Sequence, residues 1–235
     1  MATKPGKPRA ALRATPATSR PRRPIGRPAG VAVGRNAVLR AACQLLKKMP
    51  SSEVTGVAVA RAMNADPALI RYYFRDHASL MLAAGVHVQE EFYGLVRSAI
   101  GRTDGSPTAL LRARVAALLE ISTRYPFVLR LMDDLATRNP KPDARRRLRQ
   151  LTADGLDYYA RLLQAGAEGG TLRQVEPLFL AMAVVGMCDV FSIQEPIFNA
   201  GKRLRAGSKA QLRQRYLDFM VDLILSALSQ RQKST

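Results

Sequence analysis

No Asp or Glu occurs in the first 52 residues, and Glu53 is the first acid of the chain. The same stretch holds twelve Lys and Arg, the first Lys4 and the last Lys48. Over all 235 residues 37 bases stand against 18 acids, a formal net charge of +19. Setting the twelve aside leaves 25 bases against 18 acids, or +7, so most of the excess is N-terminal, as in a basic arm. Such a surplus says little about fold. It narrows the partners to nucleic acid, an anionic membrane or an acidic protein.

Cysteine and histidine are scarce too. Cys43 and Cys188 lie far apart in apolar surroundings, too few for a disulfide framework or a zinc site. They read as small buried hydrophobes of a reducing cytosol. His77 and His87 are the only histidines, and the chain has no His-Glu-x-x-His, no nucleophile elbow and no phosphate loop. Catalysis is therefore not expected, and neither is a cofactor or a metal. His87 with Glu90 and Glu91 could hold an ion, and a solvated helix face explains the three as well. No apolar segment follows the basic N-terminus as a signal peptide would need. The longest apolar run, 178–193, is broken by Asp189 and falls short of the ~20 residues of a membrane span. A cytoplasmic chain that does not engage membranes is expected.

Strand alternation and fixed-period repeats are also missing. What is there is helical, and an all-α fold is expected. Residues 1–33 carry proline at 5, 8, 16, 21, 24 and 28 and no apolar period, so they cannot offset their own ordering entropy and read as a disordered basic arm. From Arg35, apolar residues Val38, Ala42, Leu45, Leu46 and Met49 recur at helical spacing until Pro50. Thr55 is placed to cap a second, short helix with Val59, Ala60 and Met63 on one face. Asn64 tolerates a left-handed turn. Asp66 then caps a third helix, with Pro67 in its first position, and Asp76 caps a fourth that runs to about Ile100. Further helices are expected over roughly 107–124, 127–138, 143–166, 176–193 and 208–230. The GAEGG at 166–170 follows a helix and so reads as a terminator, since a dinucleotide loop follows a strand.

The third helix, in "ADPALIRYYFRDHASL", is barely two turns long and mixes aromatics with cations. On a helical wheel Ile70, Tyr73 and Phe74 fall on one side, and Ala68, Arg71 and Tyr72 on the other. The first set can anchor the helix. The second offers little bulk at Ala68, then a cation and a phenol. Two short helices joined by a tight turn, the second presenting small and polar groups, describe a helix-turn-helix whose second helix enters the major groove. A surface helix with solvated arginines would show the same wheel; the basic arm, the capped turn and the order of elements favour the DNA reader.

Residues of about 35–84 resemble the DNA-binding domain of the tetracycline-repressor (TetR) family. The resemblance is carried by "RNAVLRAACQLLKKM", then "TGVAVARAMNADPALIRYYF", then "RDHASLMLAA". Thr55, the pair Val59 and Ala60, Ala65 and Asp66, Ile70, the pair Tyr73 and Phe74, and Leu80 occupy the family's motif positions. The resemblance implies that Pro67, Ala68, Arg71, Tyr72 and Tyr73 face the groove or the phosphates, and that Thr55 contacts the DNA backbone. Three positions depart from the family pattern: Asn64 stands in place of Gly, Arg71 in place of Tyr, and His77 in place of a phosphate-gripping Lys. In the arm, Arg22, Arg23, Arg27 and Pro28 of "RRPIGRPAG" resemble an AT-hook, whose arginine lies in a narrow minor groove. A polycation acting only through counterion release is the favoured reading of the stretch, because the second flanking base after Pro28 is missing.

The division expected is an arm over 1–33, a DNA-binding domain over 34–80 and a ligand-binding and dimerisation domain over 81–235. Helices near 176–193 and 208–230 are apolar nearly all round, so one face meets the core and another meets a partner chain. A homodimer would read a palindromic operator in double-stranded DNA with two recognition helices. The resemblance further implies repression relieved by a small-molecule effector, with Phe127, Met132, Tyr158 and Met182 as candidate pocket residues and Arg130, Asp133 and Asp134 as polar contacts. The rival is a basic architectural protein that binds DNA, or a membrane surface, through charge alone.

Overall fold

A computed structural model describes residues 34–137, 142–200 and 208–229. Among them every regular element is helical: α1 (Arg35–Leu46), α2 (Gly56–Ala62), α3 (Pro67–Tyr73), α4 (His77–Ile100), α5 (Pro107–Arg124), α6 (Val128–Thr137), α7 (Pro142–Glu168), α8 (Pro177–Ala200) and α9 (Lys209–Leu228), with a 3-10 turn at Ser51–Glu53. The chain is thus an all-α protein with an N-terminal helix-turn-helix and a C-terminal helical body. Arg22, Arg23 and Arg27 lie outside the described residues.

Two hydrophobic clusters hold the helices. The first joins α1 to α4 with one side of α5 and α6, through Val38, Leu39, Ala42, Val59, Ile70, Leu80 and Met81 among others. The second joins α5, α7, α8 and α9 through Leu111, Val115, Leu163, Val184, Met220 and Val221. Helix α5 serves both. Helix α4 runs without a break from the helix-turn-helix through position 80 into the body, so a shift of α4 is felt at both ends. A Cβ on Gly85 would stand 2.9 Å from Met132 Cε, so the end of the Met132 side chain of α6 lies on α4 at that glycine.

Helix ends follow local chemistry. Ser106 and Ser208 accept hydrogen bonds from the amides of Ala109 and Gln211, capping α5 and α9. Helix α7 stops at the GAEGG run as expected: Thr171 and Leu172 donate to the Gly166 carbonyl at 2.8 and 3.0 Å, and Gly170 takes φ of 69°. A Cβ on Gly166 would come within 2.6 Å of Leu172, so the returning chain needs that glycine.

Helix α8 differs from expectation in length. It continues past Pro196 to Ala200, although the apolar pattern ends at 193. Its segment Pro177–Gln194 has a mean hydropathy of 1.7, so by length and composition it could cross a membrane, contrary to the shorter span read from the sequence. Here it packs against α5 and α7 with one face. The other face is uncovered, with Phe179 68% exposed and Val190, Ile193 and Ile197 also open. Phe219, 59% exposed, and Leu223 do the same on α9.

Candidate nucleic-acid interface

The recognition unit is fixed by short-range bonds. Thr55 Oγ1 accepts from the Ala58 amide at 3.1 Å and starts α2. A Cβ on Gly56 would lie 3.4 Å from Ile70 Cγ2, so the first turn of α2 rests on α3. Asn64 adopts φ of 51°, and Ala65 donates its amide back to the Ala60 carbonyl at 2.9 Å, which closes the turn. Asp66 Oδ1 accepts from the Ala68 amide at 2.7 Å, and Pro67 occupies a position whose amide has no partner within the helix.

With the ends fixed, α3 has little freedom to roll. Ile70 and Phe74 are buried, and the Arg35 guanidinium lies 5.3 Å over the Phe74 ring. Ala68 and Arg71 are exposed, and Tyr72 is 80% exposed. Tyr73 is half-buried and meets Tyr72 edge-on at 5.1 Å between ring centres. The outward strip is therefore small, cationic and phenolic, in the order the wheel anticipates. Thr55, Arg71, Arg75 and His77 edge a shallow cavity of about 230 Å³ with Ile70 and Phe74 beneath.

His77 is exposed but not loose. Its Nε2 faces the Ser51 carbonyl at 2.8 Å, so that nitrogen must carry the proton and donate. Ser51 Oγ in turn donates to Asp134 Oδ2 of α6 at 2.5 Å. One residue of the 3-10 turn thus joins the start of α4 to the body. A second cavity, about 410 Å³, opens beside this junction between Lys47, Met49, Phe127, Arg130 and Asp133. Sequence reasoning missed Ser51, Arg35 and Arg75. Arg75 next to the Asp76 cap was readable as an exposed cation; the roles of Ser51 and Arg35 depend on residues 83 and 39 positions away and had no local signal.

The four effector candidates are not brought together. Phe127 lines the cavity beside Ser51, Met132 packs toward Gly85, and Tyr158 donates its hydroxyl to the Leu110 carbonyl at 3.3 Å. Met182 stands 63% exposed on the outer face of α8. A helix apolar on all sides does not reveal which side turns inward. His87 Nε2 lies 3.3 Å from Glu91 Oε1, but Glu91 also takes Arg124 at 3.1 Å and the Tyr125 hydroxyl at 2.9 Å. That cluster is an ion-pair junction between α4 and α5. Cys43 and Cys188 are buried, and burial pushes both thiols up to about 12, so neither is a reactive thiolate.

Residues 104–233, more than half of the chain, match a family described as "Tetracyclin repressor-like, C-terminal domain". The chain belongs to the tetracycline-repressor-like family. As a TetR-like protein it is a DNA-binding transcriptional regulator, and the helix-turn-helix above is its reading head. Solved structures agree on the fold. AibR, in complex with isovaleryl coenzyme A and operator DNA, is 18% identical with a TM-score of 0.62, over 80% of this chain and 96% of that one. The ketosteroid transcriptional regulator KstR2 of Mycobacterium tuberculosis is 13% identical with a TM-score of 0.64, over 86% and 98%. A TetR/AcrR-family regulator from Thermobifida fusca is 17% identical with a TM-score of 0.55, over 83% and 98%. No curated protein matches the TetR-like chain.

Proposed function

We propose that the protein is a homodimeric repressor in which two α3 helices read the half-sites of a palindromic operator and a small molecule entering the body releases them. The observation that carries this reading is the outer strip of α3. Arg71 and Tyr72 stand out from a helix whose roll is fixed by buried Ile70 and Phe74. Arg is suited to bidentate contact with guanine, and Tyr72 and Tyr73 can reach phosphate. Thr55, Pro67 and His77 edge the same shallow cavity as Arg71, which would bring them to the same side of the DNA.

Dimerisation follows from the uncovered faces of α8 and α9, where Phe179, Met182, Phe219 and Leu223 are too many apolar side chains to leave in water. The α8 and α9 faces of two copies would bury one another about a two-fold axis, as a palindrome requires. Release by a ligand needs a link between body and head. Helix α4 and the bond from Ser51 to Asp134 supply one, and a ligand would act by favouring one spacing of the heads. Arg22, Arg23 and Arg27 of the arm would add phosphate or minor-groove contacts.

Selection of bound sequences from random DNA tests this. A palindrome with half-sites near a multiple of one helical turn is the expected outcome. Recovery of no preferred sequence would favour the polycation reading, in which charge alone binds DNA.

A further inference from the structure

The body buries one cation. Arg114 of α5 is 5% exposed, and among the described residues it is the only charged side chain in the buried set. Its Cζ lies 4.2 Å from the ring centre of Tyr158, 4.8 Å from Tyr159 and 5.2 Å from Phe92, so α4 and α7 both close on it. A Cβ on Gly155 would stand 3.6 Å from Nη2, an ordinary contact, so α7 passes directly beside the guanidinium. The Tyr159 side chain shares a hydrogen bond with it, and Nε is buried without a partner.

Ring faces attract a cation but accept no hydrogen bond in the guanidinium plane from Nε, and Nε has no acceptor. Among the described residues no ion pair joins Arg114 to a carboxylate: Glu91 holds Arg124 and Tyr125, Glu120 holds Arg124 and Arg213, Asp218 holds Arg112, and Asp154 of α7 takes Gln150. A guanidinium does not lose its proton in proteins, so burial cannot relieve the charge. An uncompensated buried cation is costly unless an anion completes it. Tyr158 is only half-buried and held by a long hydrogen bond, so it is the wall that can open to solvent.

We propose that Arg114 is the anion-binding residue of a ligand site between α4, α5 and α7, and that the ligand is an apolar monocarboxylate. One carboxylate would take Nε and an Nη together, the planar pairing for which arginine is suited. The rest of the ligand would meet aromatic rings and a cluster that is otherwise largely aliphatic, with Leu111, Leu162 and Leu163. Phe92 belongs to α4, so an anion here pulls on the helix that begins at the reading head. The inference rests on the effector reading above and adds to it the charge and class of the ligand.

Octanoate and 1-octanol, alike in chain and unlike in charge, are the probes, with melting of the full chain as the readout. Octanoate should raise Tm by about 3 °C or more, and 1-octanol should leave it unchanged. R114M should melt above the wild type, since the lone buried charge is gone, and should not respond to octanoate. R114K keeps the charge without the fork and should lose most of the shift. Absence of an octanoate shift, an equal shift with 1-octanol, or an R114M protein that melts below the wild type would each overturn the proposal. Should R114M fail to fold, an undiminished octanoate shift in R114K would overturn it instead. Binding of the selected DNA, measured on the same samples, separates the two readings. Stabilisation by octanoate without loss of DNA affinity leaves the site standing and removes the effector role.

Discussion

Helices α3 and α8 each leave a face in water, and the two faces could hardly differ more. The face of α3 is two turns of Ala68, Arg71 and Tyr72, set on an anchored backbone. The face of α8 is Phe179, Met182, Val190 and Ile193, long and without charge apart from Asp189. Exposure alone would class them together. Chemistry separates them: a small, cationic, phenolic strip suits a groove lined by phosphates and base edges, while an aliphatic and aromatic strip suits only another apolar surface. One protein therefore carries two open surfaces of opposite chemistry, with α4 running between the regions.

The comparison breaks most visibly if α8 and α9 do not pair chains. Replacing Phe179 and Phe219 together by Asp should give a single chain in analytical ultracentrifugation with helical content unchanged. DNA affinity should fall at least about 100-fold, since two linked half-sites become one. A variant that stays dimeric would show that these faces meet something else. Next in size, Ile70→Ala should cost about 2–5 kcal/mol in urea unfolding, because it removes the anchor of α3 from a closed core. Its dimer should survive, which would confine the damage to the reading head. Arg71→Ala should weaken the selected operator by about 1–3 kcal/mol in a titration while Tm stays put. Lost helicity there would make Arg71 structural and blur the contrast between the faces. The smallest effect is expected from Asp66→Ala, about 1 kcal/mol of stability by chemical denaturation, through loss of the α3 cap.

Much of the reading head was legible in the sequence because its signals are local. Thr55, Asp66 and Asp76 cap residues within three positions, Pro67 marks a helix start by its own geometry, and Asn64 marks the turn. A wheel over eight residues sufficed to divide Ile70 and Phe74 from Arg71 and Tyr72. The body was harder. Positions 177–188 of α8 are all apolar, so the sequence did not show that Met182 faces outward. The same uniformity hid where α8 ends. Ser51 and Arg114 gave no sign at all, since each is defined by partners on other helices.

By itself, then, the sequence determined an all-helical chain, the caps and turn of the helix-turn-helix, and which side of α3 carries its cation. These depend on contacts a few residues apart, which a helix repeats in order. Only the tertiary structure decided which face of α8 is covered, that Ser51 links His77 to Asp134, and that three rings, with no carboxylate paired to it among the described residues, surround Arg114. Those facts are set by packing between distant segments, where the position of one helix chooses the neighbours of another.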